Sequence, residues 1–120
     1  MPFNPEAAAA RVRTRNKREE IEIKRRSTIA IEKARNIALE IGARDIEVKR
    51  VVLFGSLAEG VPRRLDFDID LAIDGGDIYL AMDAADASEI RVDLLDMNRI
   101  SEHIRARIAA KGIVLYRWRY

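Results

Sequence analysis

Apolar and polar positions along the chain fall into two rhythms. From Glu6 to Ile41 there is no Gly or Pro, and Ala, Glu, Lys and Arg dominate, so the stretch reads as a long helix. Within it Ile23, Ser27, Ala30, Ala34, Ile37 and Ile41 recur at alternating steps of four and three, one stripe of a helix facing something apolar. The first twenty residues have no comparable stripe, which leaves them extending from the domain or fraying. Gly42 is placed to cap the helix at its C-terminus. After it the rhythm shortens. Val51-Val52-Leu53-Phe54 is a continuous apolar run, predicting a buried strand that ends at Gly55. Phe67 to Ile73 alternates, with Phe67, Ile69, Leu71 and Ile73 on one face and Asp68, Asp70 and Ala72 on the other.

Gly75-Gly76 breaks the chain, and Asp77 can cap a short helix to about Ala87. Ile90 to Leu95 predicts a further strand. Ser101 can cap a helix carrying Ile104 and Ile108, closed by Lys111-Gly112, before a last strand Ile113-Val114-Leu115-Tyr116. The order predicts an α/β fold: a small mixed β-sheet with helices packed on one face, preceded by a long N-terminal helix. We divide it into a basic helical arm over residues 1–45 and a core over residues 46–120.

Composition narrows the chemistry. The 120 residues suffice for one modest core, and the absence of cysteine excludes disulfides, thiolate zinc sites and cysteine nucleophiles. With His103 as the one histidine, a histidine-rich metal site is out of reach. No apolar run reaches the ~20 residues that span a bilayer, so the expectation is a soluble cytoplasmic protein, not a membrane one. The net charge of +2 hides an asymmetry. Arg11 to Arg26 holds eight Lys or Arg against three Glu, whereas Asp66 to Glu102 holds eleven acids against Arg91 and Arg99.

Asp68 and Asp70, two apart on a strand, project from one face, and like charges that close repel unless a cation sits between them. Such hard oxygen ligands, completed by substrate phosphate, suit Mg²⁺; an ordinary exposed strand with solvated aspartates is the plainer alternative. Phe54-Gly55-Ser56 runs a strand into a glycine turn and an expected helix start, where backbone N–H groups and the Ser56 hydroxyl can meet phosphate. Eleven residues separate Ser56 from Asp68. Turn and carboxylates together bring a triphosphate beside a metal, the neighbourhood that in-line phosphoryl transfer needs. Asp93 interrupts an apolar strand and could help hold a second ion and accept the proton of an attacking hydroxyl, with Asp96 cast as a cap or turn residue. Arg63 and Arg64, in the intervening loop, can reach a triphosphate or merely solubilise the surface. His103, Tyr79 and Met82 read as helix surface or packing residues, and Trp118 and Tyr120 as an amphipathic end.

The segments from Val51 to Gly60, Asp68 to Ile73, Val92 to Asp96 and Ile108 to Tyr116 resemble the DNA polymerase beta-type nucleotidyltransferases, in particular their stand-alone minimal branch. The resemblance covers roughly Ile41 to Tyr116. It implies transfer of a nucleoside monophosphate from an NTP, by default ATP, with Mg²⁺ ions, two being expected. Position by position it implies that Gly55 and Ser56 bind the triphosphate, that Asp68 and Asp70 hold metal, and that Asp93 is the third carboxylate and general base. Here the spacer is one residue longer than the commonest form, and Phe67 precedes the first metal aspartate. An Asp66–Asp68 register is disfavoured because Leu71-Ala72-Ile73 should follow the second metal aspartate directly. Members of the branch are often encoded with a HEPN-type partner as toxin–antitoxin pairs, and some adenylylate the toxin. A HEPN-type acceptor protein is therefore the expected partner. A binding-only antitoxin and a small-molecule (aminoglycoside-type) nucleotidyltransferase are the rival readings. The basic arm is read as a surface for a partner or a second copy, as a solvated helix, or, least favoured, as a nucleic-acid contact.

Overall fold

The computed structural model describes residues 2–119. It contains α1 (Pro5–Arg44), β1 (Arg50–Phe54), β2 (Ile69–Asp74), α2 (Ile78–Ala85), β3 (Val92–Asp96), a 3₁₀ turn (Met97–Arg99), α3 (Glu102–Lys111) and β4 (Ile113–Arg117). The four strands form one sheet in the order β3-β2-β1-β4. β1 pairs antiparallel with β2 and β4, and β2 pairs parallel with β3 through the crossover helix α2. This is the mixed α/β sheet with a long N-terminal helix that the sequence predicts.

The continuous apolar run of β1 has its reason in two-sided burial. Val51 and Leu53, with Ile69, Leu71 and Ile73 of β2, pack under α1 and α2. Val52 and Ala72 point the other way, to Met97 and Ile108 of the 3₁₀ turn and α3. The main helical layer is α1 and α2 on one face, while the ten-residue α3 covers part of the opposite one.

In α1 the buried residues are the predicted stripe from Ile23 to Ile41 with Ala38 added. The helix does not fray before it. Asn4 caps it, its side chain accepting from the Glu6 and Ala7 amides at 3.0 and 3.2 Å, and Pro5 occupies the first turn, where a missing N–H costs nothing. Where the arm meets the core, Arg25 and Arg26 both donate to Glu22 and hold its carboxyl down at about 2. The 40 residues of α1 make the molecule elongated, with extents of 68 × 30 × 22 Å. Its radius of gyration of 18.4 Å compares with roughly 14 Å for a compact chain of this length.

Several boundaries differ from the sequence reading. Gly42 is not the C-cap, since α1 runs on to Arg44 and Asp45 takes that position. Gly42 is instead a packing position: a Cβ there would enter the Tyr116 ring of β4. β2 begins at Ile69 and β3 at Val92, two residues later than predicted, and α2 stops at Ala85. Tyr79 and Met82 lie on the outer face of α2 and are exposed rather than packed. The predicted caps Asp77 and Ser101 accept from the Tyr79 and Ile104 amides at 2.9 and 3.3 Å. Tyr120 lies outside the described residues.

Asp45 was not singled out by pattern, yet it is buried and joins the end of α1 to the start of α2. Its carboxylate accepts from the Glu47 amide at 3.0 Å and from the Asp77 amide at 2.7 Å. Gly76 lies so close that any side chain there would strike the same carboxylate, and its positive φ of 75° is one only glycine holds freely. Asp45→Ala leaves those amides unpaired and should cost about 1–3 kcal/mol, measured by urea unfolding. Asp77→Ala, which removes only an exposed cap, should cost about 1 kcal/mol.

Candidate functional site

The register of the sheet assembles the carboxylates. Phe54 of β1 lies opposite Asp70 of β2, and Asp70 lies opposite Asp93 of β3, giving a row across three strands. The next row in the same direction on the same face is Val52, Ala72 and Leu95, which Met97 and Ile108 cover. The aspartate row is left half-buried and open. Asp68 is also half-buried, just ahead of β2, where its charge still reaches Asp70.

The electrostatics differ between the ends of this sheet. At the far end Arg50 lies opposite Asp74 and pairs with it at 3.0 Å. At the aspartate row nothing comparable among the described residues neutralises Asp70. Its carboxyl is pushed above the ordinary aspartate range by burial first, then by the charges of Asp93 and Asp68. Arg91 approaches Asp93 at 3.3 Å but is three-quarters exposed, so the pair contributes little.

The phosphate turn takes a different form from that predicted. Gly55 begins no helix: its carbonyl accepts from the Ala58 and Glu59 amides, both at 3.1 Å, and the chain then enters the loop that leads to β2. The anion-binding capacity of the segment is therefore that of one turn, without a helix dipole behind it. The glycine is nonetheless required. Its φ is +74°, and a Cβ there would fall on the Asp70 carboxylate. Backbone and carboxylate thus meet with no side chain between them. Ser56 is exposed beside them.

Arg63 and Arg64 sit in the exposed loop and line a cavity of about 430 Å³ together with Ser56 and Phe67. Arg64 pairs with Asp66 at 3.1 Å within that loop, ahead of β2. Asp96 caps the 3₁₀ turn, accepting from the Asn98 amide at 2.9 Å. His103 is exposed, away from the row. The local pattern gives Lys111 of α3 only as a helix end and does not mark Arg107, although the two are spaced by four beside Ile104 and Ile108. They line a further cavity, of about 250 Å³, with Phe54 and Gly55.

Among the described residues, no three His, Cys, Asp or Glu side chains are gathered closely enough to enclose a metal ion. An open donor set of carboxylates in register, with bare backbone beside it, fits a hard cation that keeps most of its shell for phosphate and water, the habit of Mg²⁺. It does not fit a cation that needs a closed protein cage.

The family model described as polymerase beta, nucleotidyltransferase matches residues 36–118. No curated protein matches the chain. Among solved structures, the chain is similar to a toxin–antitoxin structure with AMP-PNP, at 26% identity and a TM-score of 0.57, over 70% of this chain and 73% of that one. It is similar to a chain in the complex of a tri-AMPylated HEPN toxin with an MNT antitoxin from Shewanella oneidensis. That match has 22% identity and a TM-score of 0.53, over 72% of each chain. A nucleotidyltransferase from Sulfolobus solfataricus has 16% identity and a TM-score of 0.55, over 80% of this chain and 87% of that one.

Asp70 destabilises the fold in proportion to its charge. A group whose pKa is raised by folding costs stability above its ordinary pKa, and the cost vanishes as pH falls to where folded and unfolded states both hold the proton. In chelator, Asp70→Asn should raise the melting temperature at pH 7, with the gain shrinking as pH falls through the raised titration range of Asp70 and gone below about pH 4. Mg²⁺ should stabilise the wild type and not the variant. Gly55→Ala should lose about 1–2 kcal/mol to its backbone conformation, with activity falling further than stability explains.

Proposed function

Because the chain belongs to the polymerase beta nucleotidyltransferase family and is a nucleotidyltransferase, we propose that it moves AMP from ATP to a hydroxyl of a HEPN-type protein partner. The single observation that carries this reading is the row Phe54–Asp70–Asp93 beside the bare backbone of Gly55. The similarity to toxin–antitoxin structures, one with AMP-PNP and one with an AMPylated HEPN toxin, supports the choice of donor and partner.

Asp68, Asp70 and Asp93 are the residues that would hold Mg²⁺, which when bound supplies positive charge to the phosphates. In this reading the Gly55–Ser56 turn orients the triphosphate, through backbone approach at Gly55 and the exposed Ser56 hydroxyl. Arg63 and Arg64 border the turn on the loop side. Asp93 lies on the edge strand, where an acceptor hydroxyl has access. Its carboxylate takes the hydroxyl proton as the oxygen bonds to the α-phosphorus. The bond from that phosphorus to the bridging oxygen breaks, and pyrophosphate leaves. Beyond β3 the sheet has no further strand among the described residues to enclose an acceptor, so a protein partner completes the site on that open edge.

The test mixes the full chain, Mg²⁺ and α-labelled ATP with its co-purifying partner. Label should appear on the partner with wild type and fall at least a hundredfold with Asp68→Ala or Asp70→Ala, both complexes remaining intact. Transfer unchanged in both variants would sink the site assignment. A stable complex with no label would instead leave a binding-only antitoxin.

A further inference from the structure

The cavity between α3 and the Gly55 turn is lined by Phe54, Gly55, Glu59, Ile104, Arg107, Ile108 and Lys111. Two of these, Arg107 and Lys111, are cations four residues apart on one face of α3, a spacing at which like charges repel. Neither has an ion pair or a side-chain hydrogen bond among the described residues, whereas Arg105 on the same helix is engaged by Glu102 and by the Met97 carbonyl. Glu59 lines the same cavity without pairing with either. Lys111 also suits the C-terminal turn of a helix, but that accounts neither for Arg107 nor for both facing the same hollow.

Sheet order gives the hollow its place relative to the carboxylates. It borders Phe54 on β1, Asp70 follows on β2, and Asp93 lies beyond on β3. The unpaired cations and the proton-accepting carboxylate are thus on opposite sides of Asp70. In-line displacement needs that opposition, with the attacking and leaving oxygens on either side of phosphorus. We propose that Arg107 and Lys111 bind the β- and γ-phosphates of the donor, so that pyrophosphate departs under α3 while the acceptor arrives over β3. The proposal rests on the nucleotidyltransferase reading above and adds a phosphate site to it. Arg64, by contrast, is occupied by Asp66 on the other side of the turn.

Calorimetric titration of the full chain with ATP, AMP and tripolyphosphate, each in Mg²⁺, tests it. Arg107→Gln with Lys111→Gln, both exposed positions, should weaken ATP and tripolyphosphate by on the order of a hundredfold and AMP by little. Arg107→Lys should restore most of the Arg107 share, and Glu59→Gln should tighten both polyphosphates. A double variant that binds both as wild type does overturns the proposal and leaves the nucleotidyltransferase reading standing, as does an effect confined to Arg63→Gln with Arg64→Gln. Wild type that binds tripolyphosphate through Arg107 and Lys111 but not ATP keeps the anion site and overturns the nucleotide assignment. Wild type that binds neither overturns both.

Discussion

β2 shares its backbone hydrogen bonds with an antiparallel neighbour, β1, and a parallel one, β3, and its six residues are thereby fixed in register on both sides. Ile69, Leu71 and Ile73 fill the layer beneath α1 and α2, and that burial locks the alternate residues onto the other face. A slip of one residue would send three apolar side chains out and two aspartates into the core. Everything specific to the site follows from this constraint. Asp70 cannot leave the row it shares with Phe54 and Asp93 without unpacking the interior. The strands order the site, and the helices hold the strands.

That constraint sets stability against function. The pairing that packs the core also presses two carboxylates into neighbouring positions, where each raises the cost of the other's charge. The far end of the same strand pair is settled by an arginine, so the sequence is capable of neutralising such a position and does not do so at Asp70. Folded proteins concentrate uncompensated charge where a ligand will complete it.

The fold was legible to the extent that it depends on periodicity. The stripe from Ile23 to Ile41, the run Val51 to Phe54 and the alternation around Asp68 and Asp70 each report burial, and burial is what hydrophobic spacing records. The row of Asp70 and Asp93 was legible only as a conjunction of two strands, since register depends on pairing and not on either segment alone. Positions decided by tertiary contact were not legible. Gly42 carries the local signature of a helix end, but the Tyr116 ring lying over it makes it an interior packing residue. Gly55-Ser56 resembles a helix start, yet the loop that follows, with Pro62 buried and its arginines outside, does not continue as helix. Asp45 looks like one acid among many until one of its two amide partners comes from Asp77, 32 positions along the chain. Arg107 has no mark in the local pattern and Lys111 marks only a helix end there, because a cavity is a property of two elements.

The exposed half of α1 has a consequence in electrostatic geometry. Between Ala7 and Arg18 there are five cations and no acid, and the first core-packed residue of the helix is Ile23. At 1.5 Å per residue the middle of that cationic stretch stands about 13 Å from Ile23, more than the ~8 Å over which physiological salt screens a charge. Interaction between the middle of the arm and the body is therefore largely screened at physiological salt. The formal charge of +2 is the sum over two regions of opposite sign, and the molecule meets its surroundings as an elongated dipole with its positive end on the arm.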